Sequence, residues 1–182
     1  MTDGPTTREL DDSGRNFARV YPGTIRANKG TILTGPHSIS AATSHECIEA
    51  TYDRNLAWWA WNVRAQKIVA AEVCDPVEED AYTKNVQGRD VAVSNFVYPA
   101  WFDAGAPAGS RFDQMQRLHA PFSYSDGGYL IVYDPAWPDD DVHVEPKDNV
   151  SWGWNVKVKE EGFARTRVRL VWKGDRLVWI NE

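Results

Sequence analysis

Apolar residues recur at every second position over two stretches of this chain, and both stretches read as β-structure. From Ala57 the odd-numbered positions Trp59, Trp61, Val63 and Ala65, then Val69, Ala71 and Val73, form an almost unbroken apolar face with the period of a pleated strand. The spacing predicts strands over 56–63 and 67–73, although the alanine content also suits a helix. Near the C-terminus Val150, Trp152, Trp154, Val156 and Val158 alternate with Ser151, Gly153, Asn155, Lys157 and Lys159, a strand with one buried face. Further strands are expected at 91–98 and 129–133. The run Tyr129-Leu130-Ile131-Val132-Tyr133 is apolar throughout, the pattern of a strand inside a sheet.

Turn residues set the pairing of the C-terminal strands. If Glu160-Glu161-Gly162 closes a three-residue hairpin, Trp154 faces Val168 and Trp152 faces Leu170. A two-residue turn at Gly174-Asp175 then sets Trp172 opposite Leu177 and Leu170 opposite Trp179. Both turns place the apolar partners on one face, and a slip of one residue would turn them to solvent. The expected unit is a three-stranded meander over 150–181. With the other strands, the fold class is mainly β: an antiparallel sandwich or small barrel with one or two short helices.

The remaining segments carry weaker patterns. Residues 1–42 are rich in Thr, Ser, Gly and Asp and show no sustained period, so they are expected as an extended N-terminal arm ahead of one domain over 43–182. The arm either lies on its own domain or docks on a neighbouring subunit. Thr43-Ser44-His45-Glu46 fits a capping box and predicts a helix that starts there and ends near Tyr52. Loops are expected over 75–90, 99–110 and 134–149, with a helical turn or two over 111–118.

Composition narrows the class. At 182 residues with 22 large aromatic rings, one domain can bury a core without staples. Two cysteines, Cys47 and Cys74, are too few for a disulfide framework and read as reduced thiols. The first ten residues lack a basic start followed by an apolar stretch, so no secretory signal is read and the expected location is the cytoplasm or a virion. A net charge of −6 argues against a nucleic-acid coat or a partner of acidic membranes.

No catalytic or cofactor motif stands out. G-x-S-x-G, the P-loop, G-x-G-x-x-G and H-E-x-x-H are absent. His45-Glu46-Cys47 reads H-x-C with no C-x-x-C after it, so neither cofactor nor metal is expected. The acidic cluster of Asp134, Asp139, Asp140, Asp141, His143 and Glu145 lacks calcium-loop spacing and reads as a solvated loop.

Two surface features point to protein partners. The deduced register aligns Lys157, Lys159, Arg165, Arg167 and Arg169 on one outer face, where opposed like charges repel and an acidic partner, or the chain's own acidic loops, would compensate. Trp101 and Trp137 sit in Pro-containing loops as candidate interface anchors or caps on the core. The expected function is a structural subunit that assembles with copies of itself or a larger scaffold, such as a capsid-decoration or tail protein. The alternatives are a small enzyme with an acid–base pair of His119 with Asp113 or Asp126, and a glycan-binding or inhibitor module.

Overall fold

The computed structural model describes residues 6–11, 13–136, 142–145, 168–173 and 176–181, with backbone alone for 7, 9 and the last two segments. The fold is mainly β. Among the described residues ten strands and two α-helices run in the order β1 (Thr6–Leu10), β2 (Asn16–Val20), α1 (Pro22–Ala27), α2 (Ile39–Tyr52), β3 (Trp59–Asn62), β4 (Lys67–Ala70), β5 (Ala81–Val86), β6 (Arg89–Ser94), β7 (Leu130–Tyr133), β8 (Val142–Glu145), β9 (Val168–Lys173) and β10 (Arg176–Asn181). All the pairings between these strands are antiparallel. Four strands form the largest sheet, in the order β3-β4-β7-β8, while β1-β2, β5-β6 and β9-β10 are two-stranded. No closed barrel forms among the described residues. No described helix is long and apolar enough to cross a membrane.

The period-two reading of 57–73 holds, with Trp59 opposite Ala70 and Trp61 opposite Ile68. β7 is an interior strand, as its unbroken apolar run implies. At the C-terminus Trp172 pairs with Leu177 and Leu170 with Trp179, the register expected from a two-residue turn. The first meander strand, 150–159, lies outside the described residues.

Five expectations need correction. The first 42 residues are not an extended arm: they contain β1, β2 and α1, and both strands pack against α2. The hairpin turn is built by Asp11, whose Oδ1 accepts the N–H groups of Ser13 and Arg15, both at 2.9 Å, with Gly14 at φ +76°. The boundary at 42/43 therefore falls inside α2. That helix begins earlier than the capping box, with Ser38 Oγ accepting from Ala41 N at 3.0 Å, and it ends at Tyr52 as expected. The loop over 75–90 contains β5, whose hairpin with β6 turns at Gln87 and Gly88, both at positive φ. β5 was illegible because its residues from Thr83 to Val86 are all exposed, which leaves no alternation to read. The acidic loop contains β8, paired to β7, while 111–118 forms turns rather than helix.

The main core lies between the large sheet and the 96–122 loops. Val69, Val73, Val77, Val97, Trp101, Phe112, Phe122 and Val132 belong to it, each under 9% exposed. Its polar hub is Asp113, fully buried, whose carboxylate accepts from Asn95 Nδ2 at 2.9 Å and from the N–H groups of Met115, Arg117 and Leu118 at 2.9, 3.1 and 2.7 Å. Four bonds to one carboxylate organise a segment that has no regular structure of its own.

Candidate metal centre

The chemically distinctive part of the molecule lies where α2 faces the segment after β4. Ser38, Ala41, Ala42 and His45 line a cleft, and their spacing of three to four residues keeps them on one helix face. Two alanines leave room there. One turn further on, Glu49 is buried.

The opposing wall is Glu78 to Asp80, carried by the 3₁₀ turn Asp75–Val77. Val73, Cys74 and Val77 anchor it in the core, and Cys74 N–H donates to Glu49 Oε1 at 3.0 Å. The loop over 125–129 clamps it from outside: Ser125 N–H donates to the Pro76 carbonyl and Tyr129 N–H to the Asp75 carbonyl, both at 2.9 Å. Gly128 is required for that approach, since a Cβ there would lie 2.2 Å from the Pro76 oxygen.

These two walls bring an imidazole and three carboxylates together. His45 Nε2 lies 3.2 Å from Asp75 Oδ1 and 3.4 Å from Glu49 Oε2. Ligand atoms of His45, Asp75 and Glu78 all fall within 4.8 Å of one another. Two atoms bound to one tetrahedral ion with bonds of ~2.0 to 2.1 Å stand roughly 3.3 Å apart, so the His45–Asp75 separation already suits a shared ion. The cleft holds about 40 Å³, room for an ion with a water or two when one water needs roughly 10–15 Å³. At its mouth His37 Nε2 lies 3.1 Å from Glu79 Oε2, and Arg117 Nε 3.3 Å from Asp80 Oδ1. Comparison of the chain with protein-family models, with curated proteins and with solved structures finds no match.

Charge is crowded here. Glu46, Glu49, Glu72, Asp75 and Glu78 share the region with two basic groups, Arg8 and His45. Burial, then the charge of Glu49, pushes Asp75 up to about 6. Burial, reinforced by Asp75 and Glu49, pushes Glu78 up to about 8. Burial opposes charge on His45, but Glu49 and Asp75 outweigh it and hold the imidazolium well above its usual range. The site retains protons because its carboxylates cannot all ionise beside one another.

The sequence pattern nearest this site is His45-Glu46-Cys47-Ile48-Glu49, whose i, i+4 spacing sets Glu49 beside the imidazole on one helix face. Reading the segment only as H-x-C and searching only for H-E-x-x-H passes over it. Asp75 and Glu78 had no visible link to His45, because only the fold carries them across. Cys47 is exposed while Cys74 is buried, so the two thiols do not converge.

The sequence-predicted site residues fall elsewhere. Trp101 is not a surface anchor: it is fully buried, its Nε1 donates to the Ser123 carbonyl at 2.8 Å, and its ring meets Phe102 edge-on at 4.8 Å. It sits inside because its short 3₁₀ turn, Pro99–Phe102, folds inward over the core. Trp137, Lys157, Lys159, Arg165 and Arg167 lie outside the described residues. Arg169 is in β9 opposite Ile180, known there by its backbone. His119 and Asp126 are both exposed, and the four bonds to the buried Asp113 carboxylate come from its own turn and Asn95 rather than from His119.

Proposed function

We propose that this chain binds a divalent first-row metal ion, zinc being the natural probe, through His45 Nε2, Asp75 and Glu78 in an open site of the kind that activates water. The observation that carries this reading is the convergence of those three ligand atoms within 4.8 Å, beside a cleft that His45 and Glu78 line. One nitrogen and two oxygens leave a coordination position for water, the arrangement of catalytic rather than structural zinc. An ion there lowers the pKa of its water to roughly 7, and hydrolysis is the reaction class that follows. Glu49 holds the loop through Cys74 N–H and backs the imidazole.

Titration of the purified chain with Zn²⁺, Mn²⁺ and Ca²⁺ by calorimetry tests the reading. One equivalent of Zn²⁺ or Mn²⁺ should bind, and His45→Ala and Asp75→Asn should each abolish it. Failure of the wild-type chain to bind either ion would overturn it.

A second reading keeps the chain as a structural subunit of an assembly, a sandwich-like module of a virion for instance. It draws support from the large sheet's edge at β3, where Trp58, Trp61 and Val63 are 57%, 45% and 54% exposed. Exposed rings on an edge strand suit a protein contact. Light scattering after size-exclusion chromatography checks it: a strict monomer, unaltered by Trp58→Ala with Trp61→Ala, would count against self-assembly.

A further inference from the structure

The N-terminal hairpin reaches the metal centre from behind. Arg8 on β1 has a side chain only 5% exposed, and its Nη2 donates to Glu72 Oε2 across 64 positions of sequence. Glu46 and Glu49 of α2 lie within its electrostatic reach. The second guanidinium nitrogen, Nη1, is buried without a hydrogen-bond partner, and so is Glu46 Oε2. Burying such a charge gives little stability by itself, because desolvation offsets the attraction of a buried ion pair.

We propose that Arg8 is the positioning residue of this centre, an inference that rests on the metal-binding reading above. The segment over 72–75 is held against α2 by Cys74 N–H to Glu49, Cys74 Sγ to the His45 carbonyl and the Asp75–His45 contact, and it is held to β1 by Glu72 to Arg8. Glu72 stands three residues before Asp75, so its tether sets where the Asp75 carboxylate meets His45. The guanidinium also places a positive charge within reach of Glu72, Glu49 and Glu46. Without it these groups repel, and the segment moves away from the helix. A planar fork with five donors can serve several carboxylates at once, whereas lysine offers a point charge.

The test compares Arg8→Gln with Arg8→Lys in the full chain. Arg8→Gln should weaken Zn²⁺ binding by about 10- to 100-fold, the usual effect of losing a group that orients metal ligands, and Arg8→Lys should restore part of the loss. In the metal-free protein at fixed pH, the ¹⁵N resonances of the His45 imidazole should move in Arg8→Gln and return toward wild type in Arg8→Lys. A folded Arg8→Gln with unchanged Zn²⁺ affinity and unchanged imidazole resonances would overturn the proposal. If Arg8→Gln does not fold, Glu72→Gln breaks the same pair from the other side and is judged by the same two readouts. A wild-type chain that binds no metal overturns the metal reading, and the imidazole resonances then decide Arg8 separately.

Discussion

Replacing Trp101 distinguishes a core ring from a binding anchor. Its side chain is fully buried, in edge-on contact with Phe102 and with the Phe122 centroid 5.3 Å away. Truncating a buried Trp to Ala costs about 3–5 kcal/mol, and losing the indole bond to the Ser123 carbonyl adds about 1 kcal/mol. The sum of about 4–6 kcal/mol is comparable with the whole stability of many domains, about 5–15 kcal/mol. Trp101→Phe keeps a ring and loses the N–H, so about 1–3 kcal/mol is expected. Urea unfolding followed by far-UV circular dichroism at 25 °C measures both variants against wild type. A surface anchor would leave stability within about 0.5 kcal/mol. If Trp101→Ala unfolds with the wild-type midpoint and slope, the core assignment is wrong.

Three further outcomes follow from the same contacts. Asp113→Ala leaves Asn95 Nδ2 and the N–H groups of Arg117 and Leu118 without that acceptor, while Met115 N–H keeps Asn95 Oδ1, and should cost about 3 kcal/mol or more in the same assay. Gly128→Ala places a Cβ against the Pro76 carbonyl; it should destabilise by about 1–3 kcal/mol and weaken Zn²⁺ uptake by shifting the Asp75 turn. Metal affinity should fall as pH drops from about 8 to 6, because protons held on Glu78, at about 8, and on His45 compete with the ion. Calorimetry in buffers of different ionisation enthalpy should show proton release on binding, and equal heats across buffers would contradict it.

Local pattern and tertiary placement contributed differently to the result. The strands at 59–62 and 67–70 and the register of β9 on β10 were legible because a strand with one buried face alternates and its turn residues act locally; 130–133 was legible as an unbroken apolar run, and the strand expected over 91–98 forms over Arg89–Ser94. The β1–β2 hairpin was less legible: its turn signal, Asp11 with Gly14, lies in a segment whose polar composition hides its pairing. β5 was missed because its exposed residues leave no alternation to read, and β8 because its Val142 and Val144 are only two apolar positions inside an acidic loop, paired by the neighbouring β7.

For the site, the chain by itself determined one element, the His45 to Glu49 spacing, because an α-helix places positions four apart on one face. Everything that makes the pair chemical came from tertiary structure. Asp75 and Glu78 arrive from a turn some thirty residues downstream, and Arg8 from a hairpin 37 residues before His45. Trp101 shows the same division: its Pro-containing loop left a surface anchor and a cap on the core both open, and only packing against Phe102 and Phe122 decided for the core. Helix and strand periods record contacts between residues a few positions apart. Burial and charge convergence depend on long-range contacts, and no local pattern carries them.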